Sequence, residues 1–202
     1  MSYPIIYRTF LVIILLLVTG CALGCTTVVA PVSPSEVAMA DENHGLVVGT
    51  IRLTHYGKAQ SAGLAWPREM KWWVEEQTSG SRILINHLPL EGPFVLKLPP
   101  GSYRVTAITF TSIRGIWHTV LPTMFSVQSH ACTTLGTWEL EMQTGFFTGW
   151  LTRQVSHEQA YEQDDFGRML DAKGCPTMVA PLDSHVKRSV GLYFHTRGSG
   201  RF

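Results

Sequence analysis

The chain has 202 residues, a formal net charge of +1 and a mean hydropathy of +0.10. Near-neutrality without a Lys/Arg cluster excludes the phosphate-neutralising footprint of a nucleic-acid binder. A hydrophobic content of 45% excludes an extended polar chain and is enough for one domain with a substantial core.

The N-terminal stretch has the layout of an export signal: Arg8, an apolar run from Phe10 to Val18, then small residues at Thr19 and Gly20. It is short for a membrane span, which wants roughly 20 apolar residues. Val18-Thr19-Gly20-Cys21 resembles the lipobox of bacterial lipoproteins. The resemblance implies a signal peptide over 1–20, cleavage before Cys21, and a lipid anchor, palmitate among its chains, on the Cys21 sulfur. Ala22-Leu23-Gly24-Cys25 is a poorer copy, because Ala22 stands where a branched aliphatic residue is preferred; it remains an alternative cut. Ala22 resembles the sorting signal of outer-membrane lipoproteins, so the expected location is the cell envelope, lipid-anchored at the outer membrane and facing the periplasm. Each buried acyl methylene contributes about 0.8 kcal/mol to such an anchor. Loss of the signal removes Arg8 and no other charge, leaving 15 basic against 15 acidic residues.

Residues 21–44 are expected to be a lipidated N-terminus and flexible tether. The run "TTVVAPVSPSEVAMADENH" has Pro31 and Pro34 and no amphipathic period. A strand at 28–32 is the alternative, weakened by the proline. From Gly45 the pattern becomes alternating: Val47, Gly49, Ile51 and Leu53 fall on one face of "GLVVGTIRLTH". Similar runs follow at "MKWWVEEQ", "SRILINHL", "PFVLKL", "YRVTAITF", "MFSVQ", "TLGTWELEM" and "FFTGWLTRQV", each bounded by turn residues. Strands at this spacing predict one mostly β domain over 45–202, an antiparallel β-sandwich or a small barrel.

In "PFVLKLPPGSYRVTAI" (93–108), Phe94, Leu96 and Leu98 point inward, Pro99-Pro100-Gly101 reverses the chain, and Tyr103, Val105 and Ala107 resume the inward face. The segment resembles the strand-turn-strand signature of prealbumin-like sandwiches, the group with carboxypeptidase regulatory-like and transthyretin-like domains. That likeness implies a mostly β, immunoglobulin-like or prealbumin-like antiparallel β-sandwich, and no activity. "MFSVQSHACTTLGTWELEM" (124–142) resembles the closing strands of small domains in uncharacterised bacterial lipoproteins, with Trp138, Leu140 and Met142 toward the core and Glu139 and Glu141 toward water. One C-terminal helix is expected near 156–174, capped by Ser156 and Gln159 and stopped by Gly174 and Pro176. Its acidic residues Glu158, Glu162, Asp164 and Asp165 read as a solvated face. A further strand is expected in the tail. The terminal Phe202 resembles the end of outer-membrane barrels, but Gly198 and Gly200 occupy positions that need apolar residues there.

Cys132 and Cys175 are expected to form a disulfide in an oxidising compartment, the alternative being two buried thiols. The eight histidines show no i, i+4 pair and no HExxH, so no metal is expected. There is no G-x-S-x-G, P-loop or G-x-G-x-x-G, and Ser184-His185-Val186-Lys187 lacks the companion motifs of an S-x-x-K enzyme. The expectation is a protein that is not an enzyme, without cofactor or catalytic residue. Trp72 and Trp73 are consecutive on a strand and must point to opposite faces, which makes them the candidate binding residues. With Trp66, Trp117 and Trp150 they suggest contact with an envelope protein partner or, alternatively, stacking on an envelope glycan or small ligand.

Overall fold

The computed structural model describes residues 26–32, 41–59, 67–113, 115–145, 148–156, 177–179 and 188–196. The export segment, Cys21, Cys25, Trp66, Cys175, Phe202 and the helix expected over 156–174, beyond Ser156, lie outside them. Within them the chain is all β: β1 (Thr27–Val29), β2 (Gly45–His55), β3 (Lys58–Ala59), β4 (Glu69–Glu76), β5 (Arg82–Leu88), β6 (Glu91–Leu98), β7 (Gly101–Thr111), β8 (Gly115–Thr119), β9 (Thr123–Val127), β10 (Cys132–Thr144), β11 (Thr148–Ser156), β12 (Thr177–Val179) and β13 (Arg188–Thr196). Every run with period-2 alternation has become a strand, and β13 supplies the one expected in the tail.

The strands belong to one sheet with the order β1-β5-β4-β7-β8-β13-β11-β10-β2-β3. Three long strands each carry two short partners end to end along one edge. β7 pairs with β9 through 101–105 and with β8 through 108–111. β10 pairs with β12 through 132–134 and with β11 through 137–144. β2 takes β6 along 45–52 and β3 at its end. The sheet therefore turns back on itself through β8, β13 and β11, and the β4/β7 side faces the β2/β10 side. Trp72 on β4 meets Trp138 on β10 at 4.5 Å and Phe94 on β6 at 5.5 Å between ring centroids. At the open seam the N-terminal segment pairs with β5 in parallel, and the Val32 N–H then donates to the Val95 carbonyl on β6 at 2.9 Å. One short segment thus joins both margins, and the sheet is nearly closed.

That seam corrects the expected tether. Residues 27–29 are a strand paired with β5, and Pro31 lies past the end of that ladder, where its missing N–H removes no ladder bond; the Val32 N–H bonds to β6 instead. Residues 41–44 are fixed too: Asp41 accepts from Lys97 Nζ at 2.7 Å and contacts His44 Nδ1 at 3.0 Å. These contacts, with Lys97 foremost, hold the Asp41 carboxyl well below the usual range. The antiparallel expectation is also corrected at the centre of the sheet. β2 and β10 run parallel, as do β1 with β5 and β10 with β12.

Strand parity places the core. Val47, Ile51 and Leu53 are buried, and Phe94 lies over Gly49, whose added Cβ would come within 2.6 Å of the ring. Trp138, Leu140 and Met142 are buried, while Glu139 is exposed, as the alternation predicts. β6 and β7 are not hydrogen-bonded neighbours, and Pro99-Pro100 carries the chain between facing sides of the sheet. One expectation in 93–108 fails. Ala107 is half-buried while Ile108 and Phe110 are fully buried, because the β4/β7 register shifts between Trp73 and Val74. Thr106 is the extra residue of this bulge, its Oγ1 donating to the Trp73 carbonyl at 3.1 Å, and a one-residue insertion exchanges the two faces.

Tyr103 locks the crossing. Its hydroxyl donates to the Pro99 carbonyl at 2.8 Å, and burial, helped by the nearby Glu76 charge, pushes the phenol up to about 12. Glu76 in turn accepts from the Ser79 and Thr78 backbone amides at 2.6 and 2.9 Å, capping the β4–β5 turn. Hydrogen bonds from Ser79, then Thr78, draw its carboxyl down to about 2.

Candidate binding face

The two tryptophans singled out from the sequence part company as strand geometry requires. Trp72 is fully buried against Trp138 and Phe94, so it is a core residue and not a binding residue. Trp73 points outward and is 36% exposed. Trp117 is buried against Phe194 at 4.8 Å.

A richer surface lies on β11 and β13. The inward residues of β11 are Leu151, Arg153 and Val155, which sends Trp150, Thr152 and Gln154 outward. Trp150 is 60% exposed and Tyr193 58%. In the ladder Trp150 faces Gly191, and Tyr193 is two residues along on the same face of β13. A Cβ on Gly191 would sit 3.6 Å from the Tyr193 hydroxyl oxygen, so the phenol ring leans over the glycine next to Trp150. Beyond Tyr193, the His118 ring on β8 lies 5.6 Å from Tyr193 and stacks on His195 at 4.8 Å. Burial, with the neighbouring His195 charge, holds the His118 imidazole below its usual value.

On the other side of Trp150 the face is polar. Gln143 pairs with Trp150 across the ladder, and its amide donates to Glu141 Oε1 at 3.1 Å. A shallow cleft of about 290 Å³ follows, lined by Arg52, Thr54, Glu139, Glu141, Thr152 and Gln154. Thr152 and Ser189 hydroxyls meet at 3.0 Å along its margin. A second hollow, around Arg68, His87 and Pro89, contains Glu69. That carboxylate is already engaged by Lys71 at 3.2 Å and His87 at 3.0 Å, and no large aromatic lines the hollow. Among the described residues no three His, Cys, Asp or Glu side chains gather as a metal-binding set.

Arg153 is the residue that the sequence reading missed. It is buried on the core face of β11, its guanidinium 5.2 Å over the Trp138 ring and hydrogen-bonded to Thr123 Oγ1. Leu151 and Val155 at i and i+4 would have marked the inward face, but a charged residue between them hides the alternation. Cys132 is fully buried, and β12 pairs Thr177 directly opposite it, two positions after Cys175.

No protein-family model and no curated protein matches the chain. Among solved structures, a leucine-rich repeat protein from Bacteroides thetaiotaomicron VPI-5482 is 18% identical with a TM-score of 0.32, over 52% of this chain and 14% of that one. A DUF3823 family protein from Parabacteroides merdae ATCC 43184 is 14% identical with a TM-score of 0.23, over 57% of this chain and 59% of that one. The chain thus spans a minor part of the first and under two thirds of the second. Likeness at this level transfers neither a family nor an activity, and the site rests on its own geometry.

Proposed function

We propose that this chain is a lipid-anchored, non-enzymatic recognition component of the cell envelope, held at the outer membrane through Cys21 and facing the periplasm. In this reading the 93–108 segment keeps its prealbumin-like character as a local signature within the nearly closed sheet. The observation that carries the proposal is the pair Trp150 and Tyr193, adjacent on paired strands and both more than half exposed. A surface tryptophan beside a tyrosine on rigid strands supplies large contact area at low entropic cost, which is what a binding hot spot requires.

The anchor and the face are linked by length. From Cys21 to Thr27 is six residues, at most about 20 Å when fully extended. The domain would then sit close to the membrane rather than at the end of a long leash.

The anchor is tested by lipid labelling and membrane fractionation: Cys21→Ser abolishes labelling and releases the protein, and Cys25→Ser does neither. Labelling lost only in Cys25→Ser moves the anchor; labelling absent from the wild type removes it. The face is tested by crosslinked capture from intact cells. A Trp150→Ala/Tyr193→Ala double variant is expected to lose whatever the wild type retains, and unchanged capture would contradict the assignment.

A further inference from the structure

We infer that the β10–β11–β13 face binds a neutral pyranose glycan, with Trp150 as the stacking platform and Glu141, Glu139, Thr152 and Gln154 as the hydroxyl-binding row; this rests on the recognition-face reading above. A pyranose presents an apolar C–H face and a rim of hydroxyls, so its site needs an accessible aromatic plane beside groups that both donate and accept. Trp150 supplies the plane at 60% exposure. Two positions along the ladder from Trp150, Glu141 pairs with Thr152, and two positions further Glu139 pairs with Gln154. Carboxylates accept only, whereas amide and hydroxyl groups also donate, so each acceptor has a donor-capable group beside it. Gln143 orients the nearest carboxylate through its 3.1 Å bond to Glu141.

The dimensions agree with a chain segment. From Trp150 to Gln154 the strand advances about 13 Å, along an open trough and not into an enclosed pocket, which fits a short oligosaccharide better than a compact apolar ligand. Gly191 opposite Trp150 makes room for the Tyr193 ring that leans over it, and the phenol bounds the indole on its β13 flank. Charge selects within the class. The two carboxylates outnumber the one guanidinium, Arg52, that lines the cleft, so uronic, sialylated or phosphorylated chains are disfavoured. The same carboxylates argue against a protein occupant, because Glu and Asp are depleted from protein–protein interfaces.

The test uses the full chain in a detergent without a sugar headgroup, presented to immobilised gluco-, manno-, galacto-, xylo- and N-acetylglucosamine oligomers and to acidic oligosaccharides. At least one neutral oligomer is expected to bind with a Kd between about 10 μM and 1 mM. Its titration should weaken about tenfold or more in Trp150→Ala and several-fold less in Trp150→Phe. Glu141→Gln should weaken it by about threefold to tenfold, with Trp73→Ala unchanged and all variants melting like the wild type. Absence of binding to every neutral oligomer, or binding that ignores the Trp150 substitution, overturns the inference. A blank array combined with loss of a crosslinked envelope protein from the double variant leaves the recognition face standing and removes the glycan. A blank array with unchanged capture removes both.

Discussion

Trp138 and Trp150 stand on adjacent antiparallel strands of one sheet, and their environments are opposite. Trp138 is fully buried, its indole N–H donating to the Leu135 carbonyl at 3.1 Å and its ring covered by the Arg153 guanidinium and Trp72. Trp150 is 60% exposed beside a glycine and a polar cleft. Residue type is the same, and hydrophobicity alone cannot separate them. What separates them is the pleat: β10 and β11 show alternate residues to the core, and Trp150 falls on the other parity. The inner face of this sheet does the work of stability, and its outer face is free to be shaped for contact.

The largest consequence is for stability. Trp138→Ala is expected to cost about 3–5 kcal/mol in denaturant unfolding, because it opens a cavity under Trp72 and strips Arg153 of its aromatic cover. A cost below about 1 kcal/mol would break the distinction between the two faces.

Next comes the link between Cys132 and Cys175, which we propose as a disulfide. β12 brings residue 177 opposite Cys132 in parallel register, and closing a loop of that length is worth about 4 kcal/mol in the chain-entropy model. Reduction is expected to lower the melting temperature of the wild type and to leave Cys132→Ser unaffected; equal response in both proteins would remove the bridge.

A smaller effect appears only in acid. The Glu76 carboxyl is drawn from 4.5 down to about 2 by hydrogen bonds from Ser79, its side chain foremost, and from the Thr78 amide in the turn it caps. Its contribution is therefore present above pH 4.5 and is lost as pH falls toward about 2. Glu76→Gln should flatten that part of the melting profile between those limits, and an unchanged acid limb would show that the cap does not form. The smallest expected effect is that of Trp150→Ala on stability, within about 0.5 kcal/mol of wild type, and a large loss would place that indole in the core after all.

How far the sequence carried depends on whether the signal was local. The inward sets of β2, β6 and the end of β10 follow from alternation within a few residues, so they were legible. Ala107 was misplaced because Thr106 forms a bulge, and nothing in "RVTAITF" marks which residue is extra. The parallel β2–β10 pairing joins segments separated in the chain by seven other strands, β3 to β9, and such long-range choices leave no local trace. The opposition of Trp72 and Trp73 was legible from their adjacency, but not which one would be buried. The better surface at Trp150 went unranked because Arg153, buried among apolar neighbours, disguised the parity of β11. Tyr193 gave no signal of its own, since its importance comes from Gly191 and Trp150 lying side by side.

The most direct test of the account places a photo-crosslinking amino acid at position 150 and, separately, at position 73 of the anchored protein in intact cells. Both sites are outward and solvent-accessible, but only the first adjoins Tyr193 and the polar cleft. Adducts from position 150 that are absent from position 73 are the predicted result. Adducts from position 73 alone would contradict it and return recognition to the β4 side of the sheet.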